Sequence, residues 1–409
     1  MKLVVKKTEQ LKGSVKVPPS KSHTHRAIIL ASLASGTSVI KNPLLSQDCI
    51  GTINACREIG AEITIKNDLI IKGVNGKPKS LTSEINVENS GTTIRLMTAI
   101  TALCDKEIIL TGDHSIQSRP IGPLLRSLND LGVKAASIKN NDKPPVSVTG
   151  ILRGGNTVLE GISSQFLSSL LIACPLAKSD TKIDVTGLKS IPYVEMTLNH
   201  LENVGVKIYY KNFNKFLIPG NQQIKPRNYI VPGDYSSAAF LLAAENITKS
   251  NIKISGLDPN DKQGDKIILK IIKDLKTGNH REIDLSNTPD LLPIVAVLGC
   301  YSEGTTIIKN VEHARLKESD RIFTTCNELQ KMGAEIKETR DGIIVKKSQL
   351  HGTKLNGHQD HRVVMALAVA ALGAENTTVI SNAEIVTVSF PNFIEIMKKL
   401  QANINLEET

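Results

Sequence analysis

The segment NSGTTIRLMTAITALCDKEIILTGDHSIQSRPIGPLLRSLNDLGV, residues 89–133, holds one complete structural unit in its order of residue types. The polar cluster Asn89-Ser90-Gly91 opens an apolar run, IRLMTAITAL, of helical length. A short β-rich piece follows and ends at Gly112. After a loop, Ile121, Leu124, Leu125, Leu128 and Leu131 recur at helical spacing and mark one buried stripe. Pro120 suits the first turn of that second helix, where its missing N–H costs little. Gly132 stands where a C-terminal cap is wanted, before a β-rich stretch resumes. The unit reads helix, strand, loop, helix, strand.

The same order recurs along the whole chain. Polar clusters at Ser20-Lys21-Ser22, Asn89-Ser90-Gly91, Ser163-Ser164-Gln165, Asp234-Tyr235-Ser236, Pro289-Asp290 and Asp360-His361-Arg362 each open an apolar run. The strand-like pieces behind them end at Asn42, Gly112, Gly187, Gly256, Asn310 and Asn382, at spacings of 70, 75, 69, 54 and 72 residues. Gly205 and Gly333 follow their second helices as Gly132 does. A unit of roughly 70 residues cannot bury its own faces, so copies must pack together. With 409 residues, the chain is too long for one ordinary core. The expected fold class is therefore α/β (α+β) in two domains of three units each. Pro18-Pro19 and Pro232-Gly233 are the natural joins, giving one domain of residues 20–232 and another of 1–19 plus 233–409. The N-terminal strand is then expected to return to the second of these. The polar insert at residues 139–145 reads as a hairpin loop.

Composition narrows the function classes. A formal net charge of +10 suits either a nucleic-acid surface or a pocket for small anions. Aromatic residues make up only 3%, with no Trp, and the lysines are dispersed, which disfavours nucleic acid. No apolar run of membrane-spanning length occurs, and the first residues lack the apolar core of a signal peptide, so a cytoplasmic protein is expected. The six cysteines form no C-x-x-C pair and read as buried thiols rather than zinc ligands or disulfides. His23 with His25, and His358 with His361, lack the further ligands that would complete a metal site.

Charged residues gather at the helix openings. A helix N-terminus offers free N–H groups and the positive end of its dipole to anions. Lys21, Arg26, Arg95, Arg119, Lys317, Arg321 and Arg362 lie at or near such places. Arginine grips phosphate or carboxylate with two parallel hydrogen bonds, whereas lysine acts as a point charge. Ser22, Ser163, Ser164, Gln165 and Ser190 accompany them; Ser163 equally suits an N-cap, and Gln165 suits a hydrogen-bonding ligand better than a cap. Asp290 and Glu318 are the carboxylates placed for proton transfer, although either would also complement a helix dipole. No P-loop, dinucleotide fingerprint or H-E-x-x-H motif occurs.

The segments PPSKSHTHRAIILASLASG, NSGTTIRLM, SRPIGPLL, SSQFLSSLL, SIPYVEMTL, GDYSSAAF, NTPDLLPI, RLKESDRI and QDHRVVMALAVAAL, in this order, resemble the 5-enolpyruvylshikimate-3-phosphate synthase family over essentially the whole chain. The resemblance implies two domains of three helix-and-strand units with approximate three-fold symmetry, closing over the substrates. It implies transfer of the enolpyruvyl group of phosphoenolpyruvate to shikimate 3-phosphate, with release of phosphate and without a metal or organic cofactor. By resemblance, Lys21, Ser22, Arg26, Ser163, Ser164, Gln165, Ser190, Tyr193, Asp290 and Lys317 serve shikimate 3-phosphate. Lys21, Asn89, Gly91, Arg119, Gln165, Glu318, Arg321 and Arg362 serve phosphoenolpyruvate. Asp290 orients or deprotonates the 5-hydroxyl, Glu318 protonates the methylene, and Lys21 shares the acid–base work. A monomer that binds neither nucleic acid nor membrane is expected.

The chain also departs from the family pattern. Val388 stands where a lysine often precedes the final Phe-Pro, so one phosphoenolpyruvate contact is expected to be missing. His313 takes the place of a common asparagine, and Leu96 that of a common proline. Gly91 leaves room in the cradle, which leads us to expect competition by glyphosate. The sister transferase acting on UDP-N-acetylglucosamine usually has Lys-Asn at the first motif and a cysteine before Arg-Pro; this chain has Lys21-Ser22, and Ile116-Gln117-Ser118 before Arg119. An RNA-end-processing protein of related fold is the rival from a different class, and an inactive scaffold the third.

Overall fold

Each of the six polar clusters opens a helix in the computed structural model, which describes residues 1–278 and 281–408. These helices are Lys21–Leu33, Gly91–Thr101, Ser164–Ala173, Tyr235–Ile247, Leu292–Tyr301 (entered through a 3-10 turn, Pro289–Leu291) and His361–Leu372. Ser90, Ser163, Asp234 and Asp360 cap theirs by accepting a backbone N–H, which satisfies one of the donors a helix start leaves open. The helices are apolar on every side because they are enclosed: His361–Leu372 is buried at each position. The second helices, Gln47–Glu58, Gly122–Asp130, Ile191–Asn203, Ile268–Thr277, Arg321–Lys331 and Phe393–Lys399, are amphipathic and keep one face exposed.

The chain divides into two compact units, Pro19–Pro232 and Met1–Pro18 with Gly233–Thr409. Each has its own continuous apolar core. In the first, Gly91–Thr101 packs on Ser164–Ala173, and Lys21–Leu33 on Gln47–Glu58 and Ile191–Asn203. In the second, Tyr235–Ile247, Leu292–Tyr301 and His361–Leu372 pack against one another in all three pairings.

Outside the helices lie small sheets of one repeated design. Strands Glu84–Asn86, Ile108–Thr111, Val146–Thr149 and Lys134–Ser137 neighbour one another in that order. The first pair is parallel and the others antiparallel. The sequence reading expected one strand after each second helix; the structure has a hairpin there, plus a third strand that leads into the next unit. The hairpin supplies the hydrogen bonds that the central strand's free edge needs. The polar loop at residues 139–145 is the turn of the hairpin Lys134–Ser137 and Val146–Thr149, as its composition led us to expect; in the other units strands of three or four residues give too short an alternation to register in the sequence. In the last unit, Lys2–Val5 takes the hairpin position between Thr378–Ser381 and Ile404–Glu407. Among the described residues the fourth unit has no hairpin: Lys253–Ser255 pairs with Ser14–Lys16, which accounts for the short spacing from Gly256 to Asn310.

Helix and strand ends follow backbone geometry. Gly132, Gly205 and Gly333 have φ of +88°, +85° and +89°. Each donates to the carbonyl three residues back, while the next residue donates to the one five back, closing a Schellman cap. Of the six strand-ending residues, Asn42, Gly187, Gly256, Asn310 and Asn382 are left-handed. Gly112 is not; it is required instead by contact, since a Cβ there would lie 2.7 Å from the Glu88 carbonyl and 2.8 Å from the Ile116 Cβ. At Gly187, by contrast, a Cβ meets nothing within 4 Å and only φ opposes substitution. Gly112→Ala is therefore expected to cost about 2–3 kcal/mol, and Gly187→Ala about 1 kcal/mol. Urea midpoints of the two variants check this; a larger loss for Gly187→Ala would contradict it.

Candidate functional site

In the unit Pro19–Pro232, the opening Ser20-Lys21-Ser22 places Lys21 at the first helical position, and its Nζ lies 2.7 Å from Asp48 Oδ2. Burial favours a neutral Asp48, but the charge and hydrogen bond of Lys21 outweigh it and hold the carboxyl below its ordinary range. His25 itself is buried and neutral, pushed down to about 4 by desolvation. Its Nδ1 meets Thr52 Oγ1 at 2.6 Å, Thr52 meets Thr93 at 2.5 Å, and Thr93 meets Ser90 at 2.6 Å. A buried polar chain thus joins the first opening to the second, where Ser90 caps the helix that starts at Gly91.

Arg26 lies one turn past Ser22, nearly fully buried. It donates to Thr197 Oγ1, the Ser22 carbonyl and the Tyr193 carbonyl at 2.8, 3.0 and 3.1 Å, and burial pushes its pKa down to about 10. Arg26 therefore fixes Tyr193 and the start of its helix relative to Ser22. Ser190 precedes that helix with φ +56°, a left-handed conformation that costs a non-glycine residue on the order of 1 kcal/mol and marks an imposed geometry. Asn89 Nδ2 donates to Asp113 at 2.6 Å. At Gly91 backbone and cation meet closely: a Cβ there would lie 2.3 Å from Arg119 NH1. Arg119 NH2 donates to Ser115 Oγ at 2.9 Å. At the third opening, Ser163 is the N-cap, Ser164 is buried, and the Gln165 amide accepts from Arg95 NH1 at 2.7 Å and donates to Thr92 Oγ1 at 3.0 Å.

The other unit gathers three carboxylates and three cations. Arg321, only 1% exposed, lies at the centre. Its NH1 donates to Asp290 Oδ1 at 2.6 Å, NH2 to Glu318 Oε2 at 2.5 Å, and Nε to Asp360 Oδ2 at 2.8 Å. Lys317 Nζ lies 3.4 Å from Asp290 Oδ1, and Arg362 NH2 3.2 Å from Asp290 Oδ2. Burial works against ionisation of Asp290, but Arg362, Lys317 and Arg321 hold it well below the carboxylate range. Burial likewise opposes the Arg321 charge, and Asp360, Glu318 and Asp290 raise its pKa despite that. Formal charges balance within this cluster, so an anion binding to Arg321 or Arg362 competes with Asp290 for the same N–H groups. Release of Asp290 then makes it a stronger base.

The sequence reading missed Asp48, the partner of Lys21, and Asp360, which accepts from Arg321 and from the Arg362 N–H at 3.0 Å. Both read as carboxylates complementing a helix start. Arg95 reads in the sequence as a cation at a helix opening, and its pairing with Gln165 comes from the fold. Leu96 is part of the apolar core of its unit, and Val388 is buried. Arg315, beside the unusual His313, is held by Asp320 at 2.7 Å and by the Thr339 carbonyl at 2.7 Å. All six cysteines are free and buried, and burial pushes the Cys56, Cys174 and Cys300 thiols up to about 12. Among the described residues, no group of three or more His, Cys, Asp or Glu has a metal-binding arrangement, and no helix is long and apolar enough to cross a membrane.

Comparisons with known proteins agree along the full length. The family model of EPSP synthase (3-phosphoshikimate 1-carboxyvinyltransferase) matches residues 5–397. The 3-phosphoshikimate 1-carboxyvinyltransferase of Methanocaldococcus jannaschii is 46% identical, covering 99% of each chain. Those of Acetivibrio thermocellus and Ruminiclostridium cellulolyticum are 43% and 42% identical, each over 99% of this chain and 99% and 100% of their own. A solved EPSP synthase of Acinetobacter baumannii superposes with a TM-score of 0.84 at 25% identity, covering 100% of both chains. A match that runs nearly end to end, at this identity and on this fold, makes the chain a member of the EPSP synthase family.

Proposed function

We infer that the chain transfers the enolpyruvyl (carboxyvinyl) group of phosphoenolpyruvate to the 5-hydroxyl of shikimate 3-phosphate, releasing phosphate, on the route to chorismate and the aromatic amino acids. The observation that carries this reading is family membership over residues 5–397. The sister reaction on UDP-N-acetylglucosamine is not favoured, because Ile116-Gln117-Ser118, without a cysteine, stand just before Arg119 and the relatives described above carry one name. The same reading takes the enzyme as a cytoplasmic monomer that works without metal or organic cofactor.

The roles are those that the family resemblance implies, and the chemistry of each residue suits its role. Lys21, Ser22, Arg26, Ser163, Ser164, Gln165, Ser190 and Tyr193 take the phosphate and ring hydroxyls of shikimate 3-phosphate, with Asp290 and Lys317 at its reacting hydroxyl. Lys21, Asn89, Gly91, Arg119, Gln165, Arg321 and Arg362 take phosphoenolpyruvate, beside Glu318. Glu318 gives a proton to the methylene carbon as the 5-oxygen bonds to the adjacent carbon and loses its proton to Asp290. The tetrahedral adduct then expels phosphate and returns a methyl proton, leaving the enol ether. Lys21 assists these proton transfers. The internal ion pairs support this division of labour, because the guanidinium groups that hold Asp290 are those an anionic substrate would claim.

Purified protein given both substrates is expected to release inorganic phosphate, and to release none from either alone. Release from phosphoenolpyruvate alone, or none from the pair, would contradict the reading. Asp290→Asn and Glu318→Gln are each expected to lower kcat by about 10²- to 10⁴-fold; near wild-type turnover with unchanged substrate affinity in both would remove these roles. Gly91→Ala should fold, because the atom its Cβ would meet is the flexible end of Arg119. Its KM for phosphoenolpyruvate is expected to rise about tenfold or more through the displaced guanidinium. An unchanged KM would separate Gly91 from that substrate. Glyphosate is expected to compete with phosphoenolpyruvate in the wild type; no inhibition at concentrations well above that substrate would count against the cradle at Gly91.

A further inference from the structure

We infer that Glu328 is a positioning residue for Arg362, acting through a clamp on the loop that leads into the sixth opening helix. This rests on the reading that Arg362 holds phosphoenolpyruvate. Glu328 stands two turns past Arg321 on the same helix, and it is 0% exposed. A buried carboxylate is costly unless its oxygens are occupied, and here both are. Oε1 accepts from Lys331 Nζ at 2.7 Å, His358 Nε2 at 2.7 Å and Asn327 Nδ2 at 2.9 Å, while Oε2 accepts from the Asn356 N–H at 2.9 Å. Burial opposes ionisation, yet His358, Lys331 and the Asn356 N–H together bring the carboxyl down to about 2.

Two of these donors belong to the loop that delivers Arg362. Asn356 Oδ1 in turn accepts from the His358 N–H at 2.7 Å and from Asn382 Nδ2 at 2.9 Å. Gly357 is so tightly enclosed that a Cβ would lie 2.4 Å from Val364 and 2.6 Å from the Ser381 carbonyl. His358 and Gln359 then follow with φ of +50° and +52°. Two successive left-handed non-glycine residues are strained, and such backbone persists only where its surroundings dictate it. The next residue is Asp360, which caps Arg362 and accepts from Arg321.

The helix Arg321–Lys331 thus grips this loop twice, at Asp360 through Arg321 and at residues 356 and 358 through Glu328. One grip fixes a point; the second fixes the direction in which the following helix starts, and with it the Arg362 guanidinium. A cation displaced by an ångström or less loses much of its grip on an anion held in a set geometry.

The test is the split between the Michaelis constants in Glu328→Gln, which keeps side-chain shape but puts an amide among four donors. The KM for phosphoenolpyruvate is expected to rise about ten- to a hundredfold, with that for shikimate 3-phosphate within about twofold of wild type. His358→Ala removes one clamp donor without leaving a buried charge unpaired. It should move the same constant in the same direction by less, and it decides the matter if Glu328→Gln does not fold. Folded variants with an unchanged KM for phosphoenolpyruvate, or with equal rises for both substrates, overturn the clamp. A wild-type enzyme that releases no phosphate from the pair overturns the functional reading first, and the clamp with it.

Discussion

One buried guanidinium organises the charged cluster of the second unit. Arg321 comes from the start of a second-position helix, and its three nitrogens each reach a carboxylate from a different element: Asp290 before the fifth opening helix, Glu318 in the preceding loop, and Asp360 at the cap of the sixth. Desolvating such a charge costs several kcal/mol unless partners surround it. Because they do, the positions of Asp290, Glu318 and Arg362 are tied to one another. The same pairing keeps Asp290 ionised and weakly basic until an anion takes its place at Arg321 or Arg362. The proposed chemistry depends on that exchange.

The fold supplies this arrangement by repetition. A helix enclosed on all sides must leave its N-terminal N–H groups somewhere, and each unit leaves them at the polar cluster that opens the helix. Side chains that cap one copy can bind ligand in another. Ser163 is the N-cap of its helix, while Lys21 and Gly91 sit one position inside theirs, behind Ser20 and Ser90. The fourth copy, Asp234-Tyr235-Ser236, is spent on structure: Asp234 accepts from both the N–H and the hydroxyl of Ser237, and the Tyr235 hydroxyl donates to the Asp258 carbonyl. Among the described residues that copy also has no hairpin.

What was legible in the sequence was whatever depends on residues close together along the chain. The six helix openings, the strand ends at Asn42 through Asn382, and the caps at Gly132, Gly205 and Gly333 follow from local periodicity and backbone preference. Of the hairpins only the one around residues 139–145 showed, through its polar loop; elsewhere strands of three or four residues give too few alternations. Site partners were missed for a different reason. Lys21 and Asp48 are 27 residues apart and Arg95 and Gln165 are 70 apart, and nothing in either segment announces the other. Glu328 looks like a solvent-facing partner of Lys331 at helical spacing, and only the packed loop at 356–358 turns it inward.

The central claim is that Glu318 protonates the methylene of phosphoenolpyruvate while Asp290 relieves the 5-hydroxyl of its proton, so that the reaction passes through a methyl-bearing adduct. Running the reaction in D2O tests it most directly. Proton addition and loss at the same carbon must leave solvent deuterium in the methylene of the carboxyvinyl product, readable by mass spectrometry and NMR. Deuterium at that carbon is the predicted result. Product formed at full rate with an unlabelled methylene would contradict the account, because no methyl intermediate could then have existed and Glu318 would have no proton to give.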